Sequence, residues 1–105
     1  MTGVQTCALP ISVIAINDYS AVGVMRSIKE HGLRIPEDIS LISFDNTFIV
    51  DTVIPRLSSI SYDYEAFGKL LVDTALDKIA GKEVPEVQKV TPTLIIRESV
   101  AELKR

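Results

Sequence analysis

The chain has 105 residues, of which 47% are hydrophobic and 24% charged, a composition typical of one small globular domain. Its net charge is −3 and its 11 Lys and Arg are scattered, which excludes a nucleic-acid surface built from clustered cations. No apolar run approaches the ~18 residues of a membrane span, and a single cysteine excludes an internal disulfide. We therefore expect a cytoplasmic, reduced protein with no membrane contact.

The first eleven residues, "MTGVQTCALPI", differ in character from the rest of the chain. They contain no Lys or Arg and no continuous apolar stretch, so they are not a secretory signal. They resemble the in-frame translation of a sequencing-library adapter. We therefore expect residues 1–11 to be non-native, to make few contacts and to precede an authentic sequence that starts at Ser12 or Val13. The alternative is a genuine extended strand at the amino terminus.

Residues 12–46 predict a strand, a helix and a second strand. The runs "SVIAIN" (12–17) and "ISLISF" (39–44) are apolar on both faces, as buried parallel strands are. Between them Asp18 or Ser20 can cap a helix, and Gly32 can end it. The crossover makes the two strands parallel and right-handed. The apolar stripe expected to face inward along this helix comprises Val22, Met25, Ile28 and Lys29.

The second half predicts an irregular stretch, a strand, a longer helix and a last strand. Residues 47–56 contain the breaker Pro55 and no clear periodicity, and "LSSIS" (57–61) is a short strand candidate. Asp63 can cap a helix that runs to about Ala80, and "TLII" (93–96) is the last strand. The apolar stripe predicted on the second helix comprises Phe67, Leu70, Leu71, Ala75 and Ile79.

Two helices are too few to cover both faces of such a sheet. The strands are apolar on both sides, as in sheets that carry helices on each face. The sequence therefore predicts the α/β class, and within it the later part of a larger doubly wound domain with a parallel sheet.

Polar side chains follow the first two strands where each strand ends. Asn17 and Asp18 follow the first strand, and Asp45 and Asn46 follow the second. Ligands bind outside the carboxyl ends of parallel strands, and a carboxylate beside an amide suits the vicinal hydroxyls of a sugar. Two simpler roles stay open: Asp18 as a helix cap, and Asn46 as a turn residue.

Two tyrosines, Tyr62 and Tyr64, follow the third predicted strand. An aromatic face can stack on the apolar face of a sugar, and a phenol can form hydrogen bonds with it. The alternative for Tyr64 is packing in the first turn of the second helix.

Enzyme motifs are missing from the sequence: it has no GxSxG, no P-loop, no GxGxxG and no pair of histidines. We therefore expect no catalytic residue, no metal and no cofactor. The enzyme alternative is a small flavodoxin-like protein that uses Asp18 and Asp45 as a carboxylate pair for phosphoryl transfer.

Three segments, taken in order, resemble the LacI/GalR family of transcription regulators. They are "INDYSAVGVMRSIKEHGLRIPEDISLISFDN", "IPRLSSISYDYEAFGKLL" and "PTLIIRESV", and the resemblance runs from residue 13 to about residue 100. It implies a repressor with a helix-turn-helix, a hinge and a two-lobed sensor like periplasmic sugar-binding proteins. Residues 12–105 would be the end of that sensor, with 12–61 mostly in its C-terminal lobe and the helix 65–80 in its N-terminal lobe.

The resemblance also implies roles for individual residues. Asn17 and Asp45 fall on positions that contact the effector, whereas Tyr62 falls where the best-known members carry a glutamine, which implies a different specificity. The family dimerises through the helix that holds Val22 and Met25 and the loop near Val53. Operator DNA would be bound only by an N-terminal domain absent from this chain. The alternative is a periplasmic-type sugar-binding protein of a transport system.

Overall fold

The computed structural model describes residues 11–103, which form four strands and three helices. The adapter-like segment lies outside this part of the chain except for Ile11, whose carbonyl accepts a hydrogen bond from the Ser40 amide at 2.9 Å. In chain order the elements are β1 (Ser12–Ile14), α1 (Asp18–Glu30), β2 (Ser40–Phe44), α2 (Ile49–Thr52), β3 (Ser58–Ser61), α3 (Tyr64–Ile79) and β4 (Thr93–Ile95).

The four strands form one sheet in the order β1-β2-β3-β4. β1, β2 and β3 are parallel, which confirms the α/β class and the predicted parallel sheet. β4 is antiparallel to β3 and forms an edge. β1 is shorter than the predicted strand 12–17, because only the Ala15 amide continues its pairing, to the Ile42 carbonyl at 2.8 Å.

Helix α1 begins and ends where the sequence predicts, but the predicted cap is wrong, and the predicted stripe is confirmed only at Met25 and Ile28. Asn17, rather than Asp18 or Ser20, is the cap, and its Oδ1 accepts from the Ser20 amide at 2.7 Å. Gly32, at φ 73°, follows the helix end as expected.

The buried face of α1 is rotated from the predicted stripe. Ala21 and Ile28 are buried, with Val24 and Met25 partly buried against the core. Val22 and Lys29 are exposed. The prediction followed a spacing of three or four residues from Val22 and passed over Ala21, a small residue that the structure buries completely.

A short helix, α2, lies in the stretch 47–56 that was predicted to be irregular. Its four residues are fewer than the two turns that hydrophobic periodicity needs to reveal a helix. Ile49 and Val50 are buried, so α2 adds to the core rather than forming a surface loop.

The core lies between one face of the sheet and the helices α1 and α2. Its central cluster comprises Ala15, Ala21, Leu41, Val50 and Leu57. Among residues 11–103, none covers the opposite side of β1, where Ile14 and Ile16 are 67% and 77% exposed. No residue of α3 is buried, so the described residues cover only one face of a sheet that is apolar on both.

None of the helices in residues 11–103 is long and apolar enough to cross a membrane.

Candidate functional site

Three of the predicted ligand residues follow three neighbouring parallel strands at one edge of the sheet. Ile14 pairs with Ile42, and Phe44 pairs with Ile60. Asn17, Asp45 and Tyr62 come after these strands, so the register brings all three to the carboxyl edge, where open parallel sheets bind ligands.

Asp45 and Asn46 form a turn in the left-handed region of backbone space. Their φ angles are 102° and 56°, values that few residues other than glycine adopt and that Asp and Asn tolerate best. The Asp45 amide donates to the Ile60 carbonyl at 2.9 Å, and the Asn46 amide donates to Ser59 Oγ at 3.0 Å. Non-glycine residues at positive φ cluster at functional sites, so this turn is a candidate ligand-binding element.

The Asp45 carboxylate is half-buried, and no hydrogen bond or ion pair within residues 11–103 uses it. Asn17 uses its Oδ1 to cap α1, and no hydrogen bond in the same residues uses its Nδ2. The edge of the sheet therefore offers a carboxylate acceptor and an amide donor, the combination that vicinal hydroxyls require.

The two tyrosines lie together, with ring centroids 6.0 Å apart and planes tilted by 60°. Tyr62 is half-buried, and Tyr64 is the first residue of α3. The Tyr64 hydroxyl donates to the Asp45 carbonyl at 2.6 Å. Partial burial, and then the nearby carboxylates of Asp45 and Asp18, raise the pKa of this phenol. The hydroxyl therefore stays protonated at neutral pH and can hold the turn.

Asp18 is fully buried and lies at the centre of a hydrogen-bond network that the sequence did not predict. Its Oδ1 accepts from Ser43 Oγ and from Ser59 Oγ, the latter at 2.9 Å. Its Oδ2 accepts from the Thr47 amide and from Thr47 Oγ1, the latter at 2.8 Å. The prediction that Asp18 caps α1 is wrong because its side chain points to the sheet and the turn instead.

This network keeps the Asp18 carboxylate ionised although no cation of residues 11–103 pairs with it. Burial raises the pKa of a carboxyl group, but the hydrogen bonds from Ser43, Thr47 and Ser59 together outweigh burial and lower the pKa of Asp18 below its ordinary value of 3.8. Because both oxygens are already used and no part is exposed, Asp18 cannot be half of a solvent-facing carboxylate pair with Asp45.

Arg97 is a second contact that the sequence analysis missed. Its side chain, 14% exposed, donates from Nη2 to Asn46 Oδ1 at 2.7 Å and from Nη1 to the Leu57 carbonyl at 2.8 Å. Asn46 Nδ2 donates in turn to Ser61 Oγ at 3.3 Å. Asn46 is thus a turn residue, as the simpler alternative held, and Arg97 secures it from the end of the last strand.

A signal for the Asp18 network was present in the sequence. Ser43 lies between apolar residues of β2, Ser59 lies in the serine-rich strand β3, and the structure pairs the two directly. Two hydroxyls at facing positions of buried strands require a polar partner. That partner is Asp18, the first residue of the neighbouring helix.

The predicted dimer residues lie around one groove on the surface of α1. Val22 and Met25 of α1 and Val53 after α2 line it, together with Leu33 and Ile54, and its volume is about 540 Å³. Ile54 is 94% exposed. The structure thus brings the three residues to one apolar surface.

Comparison with known proteins links this geometry to one group. Residues 2–100 match the model of the periplasmic binding protein-like domain. The ribose operon repressor of Haemophilus influenzae is 35% identical over 96 residues, an alignment that covers 90% of this chain and 29% of that repressor.

Two solved structures are similar to the fold. The lac repressor dimer bound to operator and an anti-inducer is 31% identical, with a TM-score of 0.83, and the match covers 94% of this chain and 35% of that one. A LacI family regulator from Enterococcus faecium with bound ribose is 29% identical, with a TM-score of 0.78, covering 96% and 38%. The chain therefore spans about a third of the length of these relatives.

Proposed function

Because this chain belongs to the family of periplasmic binding protein-like domains, we propose that it is part of the sugar-sensing domain of a LacI-type transcriptional repressor. The relatives from Haemophilus and Enterococcus and the lac repressor are regulators of transcription, which does not favour a transport protein or a flavodoxin-like enzyme. The proposed activity is binding rather than catalysis, in the cytoplasm.

The observation that carries the proposal is the unpartnered carboxylate of Asp45, within the described residues 11–103, on a fixed left-handed turn at the carboxyl edge of the sheet. A carboxylate can accept hydrogen bonds from two neighbouring hydroxyls, and the Asn17 amide can donate to a third oxygen. Tyr62 supplies an aromatic face beside them. Ribose bound in the Enterococcus relative supports a sugar as the ligand class.

The lobe arrangement and the partners are part of the same proposal. Residues 12–61 would lie mostly in the C-terminal lobe and the helix 65–80 in the N-terminal lobe, so that a sugar between the lobes changes their relative angle. The exposed apolar residues of α3 support a partner for that helix outside the described sheet. The groove at Val22, Met25 and Val53 would face a second copy, and operator DNA would be bound by a domain outside this chain.

The test is a thermal-shift screen of the complete protein against aldopentoses, aldohexoses and disaccharides. A sugar at a concentration of about 100 times its Kd stabilises the folded state by about 2.7 kcal/mol, which raises Tm by several degrees. We expect at least one sugar to do so in the wild type, and the same sugar at the same concentration to raise the Tm of Asp45→Ala clearly less. A Tm that no sugar changes, or that rises equally in both proteins, contradicts the proposal.

A further inference from the structure

The buried carboxylate of Asp18 joins a helix, two strands and a turn through its side chain alone. It belongs to the first turn of α1, and its partners Ser43 and Ser59 belong to β2 and β3. Thr47 belongs to the turn that comes after β2. One side chain therefore fixes the position of the turn relative to both the sheet and the helix.

The Asp18 network accepts hydrogen bonds from two consecutive backbone amides of the turn. Asp18 accepts directly from the Thr47 amide. Ser59, whose hydroxyl proton goes to Asp18, accepts from the Asn46 amide at 3.0 Å. These two amides come immediately after Asp45, so they set the direction in which the chain leaves that residue.

The same residue is also adjacent to Asn17, the second proposed ligand contact. Asn17 and Asp18 are consecutive, and Asn17 is held by its own cap bond to Ser20. A shift of the Asp18 side chain would therefore change the positions of both Asn17 and Asp45.

We infer that Asp18 is a positioning residue that holds the Asp45–Thr47 turn in its left-handed shape before ligand arrives, so that Asp45 and Asn17 keep a spacing suited to sugar hydroxyls. This inference rests on the proposed function for its ligand and on the hydrogen bonds alone for the turn. Preorganisation of this kind lowers the conformational cost of binding.

The test compares the complete wild-type protein with Asp18→Ala, Asp18→Asn and the control Asp38→Asn. Asp38 is a carboxylate that also holds a backbone amide, that of Arg34 at 2.8 Å, but on the loop after α1. The first measurement is amide hydrogen exchange in residues 45–47 without ligand. The second is calorimetric titration with D-ribose, with Asp45→Ala as reference.

In Asp18→Ala we expect exchange of the Asn46 and Thr47 amides to become at least about ten times faster, and the Kd for D-ribose to rise at least about tenfold, as a loss of preorganisation predicts. Asp18→Asn should give smaller changes in the same direction, because an amide has one acceptor oxygen where the carboxylate has two. Asp18→Asn also keeps the shape of the side chain, so it can be measured in place of Asp18→Ala if that variant does not fold. Asp38→Asn should change neither quantity.

The outcomes separate the inference from the proposed function. Wild-type exchange at the turn in both folded Asp18 variants overturns the inference. Faster amide exchange at the turn with an unchanged Kd for D-ribose also overturns the inference, provided that Asp45→Ala weakens D-ribose binding. If Asp45→Ala leaves binding unchanged as well, the proposed site is wrong. If the wild type does not bind D-ribose, D-ribose is not the ligand. The exchange rates alone then decide whether Asp18 holds the turn.

Discussion

Asp18 shows how a buried carboxylate can be stable without a cation among the described residues. An isolated ionised carboxylate inside a protein is costly, but two serine hydroxyls, a backbone amide and a threonine hydroxyl occupy its two oxygens here. Their sum lowers the pKa of Asp18 although burial opposes it. The fold therefore favours the ionised form of this group over the protonated form.

This pKa predicts how stability depends on pH. The folded-state pKa of Asp18 lies below the ordinary 3.8, so its contribution is complete above that ordinary value and is lost as pH falls through the folded-state pKa. We expect the difference in unfolding free energy between wild type and Asp18→Asn to be constant from about pH 5 to 7, and to shrink below about pH 4.

Denaturant melts of both complete proteins across that range measure the difference. The pKa values of Asp38 and Glu98 are also lowered by their arginine partners, but these two groups are common to both proteins and cancel in the comparison. A difference that stays constant down to about pH 3 would mean that Asp18 is not held ionised by its network.

Among the helices and strands, the sequence predicted features that depend on neighbouring residues, such as the end of α1 and the cap of α3. Gly32 follows the end of α1 at φ 73°, and Asp63 caps α3 by accepting from the Ala66 amide at 3.0 Å, both as expected. Gly81 follows the end of α3 in the same way, at φ 77°. The predicted cap of α1 failed, because the predicted candidates Asp18 and Ser20 are close in sequence to Asn17, and only tertiary contacts decide which side chain caps the helix. Asn17 keeps the cap since the serines of the sheet and Thr47 engage Asp18.

The position of the candidate site could be predicted from the sequence, but the contacts that hold its turn could not. The rule that ligands bind at the carboxyl ends of parallel strands indicated Asn17 and Asp45, and the register brings them to one edge. The contact from Arg97 to Asn46 spans 51 positions of sequence. No spacing pattern predicts a contact of that range in a single sequence.

The apolar groove between α1 and α2 predicts the effect of a charge placed in it. Because the proposed dimer would bury this groove, we expect Val53→Asp in the complete protein to convert a dimer to a monomer, since each copy would place an added carboxylate in the interface. The matched control is Val87→Asp, a residue 69% exposed outside the groove, which should remain dimeric. Sedimentation velocity distinguishes the two states, and an intact Val53→Asp dimer would place the interface elsewhere.

The whole molecule, as far as residues 11–103 describe it, exposes large apolar side chains on the sheet and on α3. Ile14 and Ile16 lie on the bare side of the sheet, and α3 exposes Leu71, Val72 and Leu76 by 57–59%. The relatives are about three times longer than this chain. Under the proposed function, these surfaces would pack against parts of the sensor domain outside this chain.

We therefore expect the 105-residue chain, produced alone, to self-associate. Large exposed apolar patches and unpaired strand edges both promote association. Light scattering across a concentration series should show particles larger than a monomer, together with a broad thermal transition. A monodisperse monomer with one sharp transition would show that the described residues suffice for a stable domain.

The carboxylate of Asp45 is the most direct test of the whole account, because the fold, the turn and its supports all converge on it. The measurement is calorimetric titration of the complete wild-type protein and Asp45→Ala with the sugar that most raises Tm, beside ligand-free melts of both. Hydrogen bonds to charged groups contribute about 1.5–3 kcal/mol each, so we expect at least a tenfold loss of affinity, about 1.4 kcal/mol. The ligand-free Tm should fall only slightly, because alanine tolerates the φ of 102° less well than aspartate does. Unchanged affinity with a lower ligand-free Tm would contradict the account and make Asp45 a turn residue only.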